Sequence, residues 1–144
     1  MVDLKDCMDK TETKIGVKIK GLLKQKASIK NGVGKIAEDI LGWDCTIQGI
    51  NRECYEFYVP EPGHVGPLII IRKECPIGIR IIDSYKVDFK EAIKIFHEYT
   101  PEEWFVAMSL GWPLTPECPE PYWHIKSITG EEVAIGADSG TPFS

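Results

Sequence analysis

The residues best suited to chemistry lie in one proline-rich stretch, from Trp112 to His124. This stretch holds two tryptophans, a tyrosine, a cysteine, two glutamates and a histidine. Aromatic side chains beside a few polar groups are typical of small-molecule pockets. We therefore expect a ligand pocket in which Trp112, Tyr122 and Trp123 give apolar contact and His124 supplies a polar one.

A second polar candidate is His64, in the loop "PEPGHVGP" between two predicted strands. Proline and glycine stiffen this loop, and a histidine held there is a fair ligand-binding or catalytic candidate. His97 lies instead at the end of a predicted helix, where a histidine commonly complements the negative helix terminus. We therefore include His64 in the predicted site and interpret His97 as structural.

An enzyme is the alternative from another class of function. Cys118 and His124 would supply the components of a thiolate–imidazolium pair, but no third residue that would orient them is evident. No cysteine or histidine pair has the spacing of a zinc site, so no metal is predicted. Nucleotide, metalloprotease, hydrolase and calcium-loop fingerprints are missing too, which leaves any cofactor unknown. The residues favour binding over catalysis without deciding between them.

The composition is that of an ordinary globular protein. The chain has 144 residues, of which 43% are hydrophobic and 27% charged, which suits a single domain over residues 1–144. The longest apolar run, Leu68 to Ile71, is too short to span a bilayer. Five cysteines without a C-x-x-C pair predict reduced thiols. Together these features predict a cytoplasmic protein without a membrane span.

Charge is distributed unevenly along the chain. Residues 1–43 carry a formal charge of +3 and residues 44–144 one of −8, and eight lysines fall between Lys10 and Lys35. Such an arm is compatible with nucleic acid or an anionic surface, but a solvated helix surface explains it as well. The stretch from Lys35 to Glu53 lacks the spacing of a helix-turn-helix. Nucleic acid is therefore not the expected partner.

Apolar residues at heptad spacing predict two helices, over about residues 15–26 and 33–41, within a basic helical arm at 10–42. A competing strand pattern, alternation of Ile15, Val17 and Ile19, covers residues 14–20. A lysine-flanked apolar stripe also suits a homodimer formed through these helices. The residues that set the heptad spacing are Ile15, Ile19, Leu22, Ile29, Val33, Ile36 and Ile40.

The remainder, residues 45–144, is predicted to contain the sheet. Four strand-like segments precede a helix that starts at Asp88, which forms a capping box with Glu91. "LIIIRKE" is expected in the centre of the sheet, "TPEE" at Thr100 is expected to start another helix, and a hairpin is expected around Thr129. The predicted fold is α+β with two layers: an antiparallel sheet of about six strands, helices on one face, and the order ααββββααββ.

Overall fold

The computed structural model describes residues 19–63 and 69–144. In these residues the chain forms an eight-stranded antiparallel sheet and one α-helix. The predicted two-layer α+β fold with several helices is therefore wrong, because only one of its four predicted helices forms in the described residues. The strands are β1 Ile19–Ile29, β2 Ile40–Gly49, β3 Cys54–Pro60, β4 Ile70–Lys73, β5 Phe105–Gly111, β6 Tyr122–Ser127, β7 Glu132–Gly136 and β8 Pro142–Phe143; helix α1 is Phe89–Tyr99.

The spatial order of the strands is β4-β3-β2-β1-β5-β6-β7-β8. The first described strand, β1, therefore lies in the middle of the sheet beside β5, which follows the helix in sequence. Their register runs from the pair Lys24–Gly111 to the pair Lys26–Ser109. This central joint brings together two parts of the chain that are far apart in sequence.

Helix α1 covers one face of the sheet and closes the core. Phe89, Ala92, Ile93 and Phe96 are buried along one side of the helix, as its apolar spacing predicts. The Asp88 carboxylate accepts a hydrogen bond of 2.8 Å from the backbone N–H of Glu91, which confirms the predicted N-cap. Under the helix, the ring of Trp43 lies 5.4 Å from Phe89 and 5.6 Å from Trp123.

Strand β1 replaces the first predicted N-terminal helix from Ile19 onward, and irregular chain, a 3₁₀ turn and the start of β2 replace the second. Residues 15–18 lie outside the described part, and from Ile19 the chain is strand β1. Two register shifts, between Ile19 and Gly21 and between Leu22 and Lys24, add residues to β1. Such bulges lengthen the apolar spacing from two to three residues, which then looks helical. In place of the second helix, a 3₁₀ turn at Ala37–Asp39 leads directly into β2.

The helix predicted after Thr100 is strand β5. Thr100 caps the end of α1 instead, since its backbone N–H donates to the Phe96 carbonyl at 3.1 Å. Phe105, Met108 and Leu110 are fully buried, while Ser109 between the last two is only half-buried. Contacts with β1 and β6 override the local helix-start signal.

Strand β4 was predicted in the centre of the sheet and is found at its edge. Ile71 is 58% exposed, so this apolar run is not buried on both faces. The segment "IRIIDSY" that follows forms only isolated bridges, Ile79 to Pro113 and Ile82 to Leu22. The hairpin predicted around Thr129 is confirmed as β6–β7.

Cys54 and Cys75 form a disulfide that ties the start of β3 to the residues after β4. The prediction of reduced thiols is wrong for this pair, whereas Cys118 is a free thiol. Across residues 19–63 and 69–144, no helix has the length and apolar character needed to cross a membrane.

Candidate ligand-binding site

The sheet face opposite α1, here called the open face, carries the candidate site. Side chains alternate between the two faces of a strand, so register partners share a face. One row across the open face contains Lys26, Ser109, His124 and Ala134. The adjacent row contains Lys24, Gly111, Tyr122 and Gly136. Lysines thus stand on the β1 side of β5, and aromatic rings stand on its β6 side.

The open face of β5 forms a trough of small residues, which are Ala107, Ser109 and Gly111. The space in front of Gly111 is open, because a Cβ atom added there would meet no atom within 4 Å. Its backbone conformation is an ordinary one, so glycine here supplies room and not a special turn. The trough therefore ends in free space beside Lys24.

This free space lies where β1 and β5 separate. Their register ends at the pair Lys24–Gly111, and the segment 79–82 then bonds to both strands. The backbone N–H of Ile82 donates to the Leu22 carbonyl at 2.7 Å, and that of Arg80 to the Trp112 carbonyl at 2.7 Å. We call the resulting gap, bounded by residues 22–24, 79–82 and 111–113, the fork.

A cavity of about 240 Å³ occupies the fork. Its apolar wall comes from Leu23, Ile79, Trp112 and Pro113, and the backbone of β5 at Leu110 and Gly111 completes it. Its polar groups are few, as in most small-molecule pockets: Lys24, Ser109 and His124.

Trp112 and His124, both predicted for the site, line this one cavity. The Trp112 indole N–H donates to the Cys118 carbonyl at 2.8 Å, and the Arg80 guanidinium lies 5.3 Å from the indole ring centroid. These contacts hold the indole as a fixed wall, with the hydrogen bond at its edge and the cation over its face.

Tyr122 lies next to the cavity without lining it. Its ring centroid is 6.5 Å from that of His124 and 5.6 Å from that of Phe143, and its side chain is buried. Tyr122 thus packs beside His124 in the row of the sheet that contains Gly111.

Trp123, which was also predicted for the site, is not brought to the cavity. Trp123 is fully buried on the α1 side of the sheet, where its indole N–H donates to the Val87 carbonyl at 2.7 Å. Strand alternation separates it from its neighbour His124. His64 lies outside the described residues.

The charge at the site is set by Lys24 and His124. Burial lowers the pKa of His124, and the nearby Glu132 carboxylate only partly opposes this shift. The imidazole is therefore neutral at neutral pH. Within residues 19–63 and 69–144, no carboxylate lies within ion-pair distance of Lys24. The cavity thus combines one positive charge with neutral hydrogen-bonding groups.

The predicted nucleophile pair is not supported by a direct contact. Cys118 is a half-buried free thiol, and no hydrogen bond joins it to His124 in the part of the chain that the structure describes. The same residues contain no group of three or more histidine, cysteine or acidic side chains that would hold a metal ion. What the arrangement offers chemically is contact and hydrogen bonding.

Sequence reasoning missed Lys24, Ile79, Ser109 and Gly111. A signal for two of them was present in "AMSLG", residues 107–111, in which small residues alternate with Met108 and Leu110. Such alternation predicts a strand with one packed face and one uncrowded face. Ile79 carried no local signal, because only the fold brings it to β5.

Neither a family model nor a curated protein nor a solved structure matches this chain.

Proposed function

We propose that the protein is a small-molecule-binding module whose ligand occupies the fork cavity. The observation that carries the proposal is the free space in front of Gly111, between the Trp112 wall and His124. A strand in the middle of a sheet normally carries side chains on both faces, so a gap of this kind requires residues with small side chains or none. Glycine opposite Lys24 and serine opposite Lys26 create it.

The lining supports binding of a molecule with an apolar body. Four apolar side chains form the wall, and burial of apolar surface contributes about 25 cal/mol for each Å². Backbone hydrogen bonds hold residues 79–82 against Leu22 and Trp112, and the Trp112 indole is fixed by its hydrogen bond to Cys118. The cavity therefore exists before the ligand binds. A preformed cavity loses little ordering free energy on binding.

The proposal is tested with phenylacetamide, a neutral aromatic probe of suitable size. Titration should shift the Trp112 indole N–H and Gly111 amide signals in ¹H–¹⁵N spectra. Gly111→Val should abolish the shifts by occupying the cavity, and it should fold because a Cβ atom there meets no atom within 4 Å. Ala107→Val is the matched control, since Ala107 lies on the same strand outside the cavity lining.

Two results would count against the proposal. One is that phenylacetamide shifts no signal from the fork at millimolar concentration. The other is that Gly111→Val, folded by its amide spectrum, binds as well as the parent protein. Gly111→Ala gives a graded check, because a single methyl group should weaken binding without preventing it.

The proposed function includes neither the predicted self-association nor the predicted cellular location. The predicted homodimer relied on helices over residues 15–26 and 33–41, and the described part of these residues contains no α-helix. Helix pairing is therefore not carried into the proposed function. The Cys54–Cys75 disulfide argues against the predicted cytoplasmic location, because disulfides are rare in cytosolic proteins.

A further inference from the structure

We propose that the ligand of the fork cavity is a small carboxylic acid with an apolar body, whose carboxylate lies at Lys24. This inference rests on the proposed function and adds the charge and orientation of the ligand. Three features support it: the position of Lys24, the arrangement of the polar lining and the charge of the whole chain.

The position of Lys24 differs from that of the next lysine on β1. Lys26 has Asp44 as its register partner on β2, so a carboxylate stands directly across from it. Lys24 has Thr46 on that side and Gly111 on the other. Lys24 therefore borders the open space at Gly111, and neither of its register partners is acidic.

The cavity is also polar on one side and apolar on the other. Lys24, Ser109 and His124 line the cavity from strands β1, β5 and β6, whereas Ile79 and Pro113 line it from segments outside these strands. A ligand with one apolar end and one acidic end would match both sides. Its apolar end would contact Trp112, while Lys24 and the Ser109 hydroxyl would donate hydrogen bonds to its carboxylate.

A carboxylate matches the charge of the site better than a phosphate group does. The polar lining contains one permanent cation, and the His124 imidazole is neutral at neutral pH. One cation balances a single negative charge but leaves a phosphate dianion partly uncompensated. Glu132, which acts on His124 electrostatically, adds to that disadvantage.

The charge of the whole protein gives this preference a clear control. The chain carries a formal net charge of −5, so its overall field repels anions. Any preference for an anion over its neutral analogue must therefore come from groups at the site.

The experiment compares phenylacetate, phenylacetamide and phenethylamine by NMR titration at low ionic strength. These probes share an aromatic ring and differ in the charge of the polar end. Phenylacetate should bind about tenfold more tightly than phenylacetamide, the factor that one charge-assisted hydrogen bond of about 1.4 kcal/mol gives. Phenethylamine should bind most weakly.

Two lysine variants locate the effect. Lys24→Met keeps most of the side-chain stem but removes the charge, and it should reduce the preference for phenylacetate over phenylacetamide to about one. Lys26→Met removes the same charge two residues further along β1, beside Asp44, and it should leave most of the preference intact.

Each outcome is decisive for one of the two proposals. If phenylacetate and phenylacetamide bind equally and Gly111→Val blocks both, the carboxylate inference is overturned and the cavity remains a binding site. Equal loss of preference in both lysine variants would also overturn it, because a general field would then be responsible. If no probe binds at the fork, the proposed function fails, and this inference fails with it.

Discussion

Gly111 and His124 define the site at the scale of single residues. Gly111 contributes by what it lacks, since any side chain there would enter the cavity. His124 contributes a half-buried imidazole whose charge depends on its surroundings. Burial favours the neutral ring, which is able to donate or accept one hydrogen bond at each nitrogen according to its tautomer.

His124 should make stability depend on pH. Its folded-state pKa is held below the ordinary value of 6.5 by burial, so the unfolded chain binds the proton first as the pH falls. The contribution of the neutral imidazole to stability is therefore fully present above the ordinary pKa of 6.5, and it is lost as the pH falls through the folded-state pKa. His124→Gln should flatten the decline in melting temperature between pH 7.5 and pH 5.5, roughly the range over which a histidine titrates.

Parent and variant melting curves recorded at the same pH values test this point. Glu120 supplies an internal comparison. Burial opposes its ionisation, but hydrogen bonds from the backbone N–H groups of Ser139 and Asp138 hold its pKa below the ordinary range. Its effect therefore appears only at more acidic pH. Parallel curves for parent and His124→Gln would show that the imidazole does not drive the decline.

At the scale of elements, local signals succeeded where they agreed with the fold. Helix α1 was predictable because its cap at Asp88 and its buried stripe are both local. The β6–β7 hairpin was predictable for the same reason. Strand β1 was not, because its bulges at Lys20 and Leu23 disguise the two-residue period. Thr100 is a residue type that commonly starts a helix, but in the structure it caps the C-terminal end of α1.

The disulfide makes a prediction at this scale. Cys54 and Cys75 are separated by 21 residues, and a link of that length contributes about 3 kcal/mol by restricting the unfolded chain. Cys75→Ser should therefore lower the free energy of unfolding in urea by about 3 kcal/mol. Dithiothreitol should have the same effect on the parent protein.

Cys118→Ser is the control for this loss, because Cys118 forms no disulfide. It should change the free energy of unfolding by no more than about 0.5 kcal/mol. If Cys75→Ser were as stable as the parent under oxidising conditions, the link between β3 and the residues after β4 would not contribute to the fold.

At the scale of the whole molecule, the sheet order predicts which parts open last. β1 and β5 are flanked by strands on both sides, whereas β4 has a partner on one side only. Amides of β1 and β5 around Gln25 and Leu110 should therefore exchange with solvent at rates set by global unfolding, and amides of β4 should exchange faster. Native-state hydrogen exchange measures both. Equal protection of β4 and β1 would contradict this order.

The fork is also a property of the whole molecule, which is why the sequence revealed only part of it. Trp112 and His124 were identifiable from residue type and closeness in sequence. Lys24 and Ile79 come from elements far away in the chain and reach the cavity through the β1–β5 joint and the 79–82 segment. Trp123 shows the converse, since closeness in sequence put it in the prediction and strand alternation put it in the core.

The most direct test of the account is to locate a bound probe. In the complex with phenylacetate, nuclear Overhauser contacts should join the phenyl protons to the Trp112 indole N–H and the Gly111 amide. The methylene protons next to the carboxylate should contact the Lys24 side chain. Contacts with another surface, and none with these three residues, would show that the fork cavity is not the binding site.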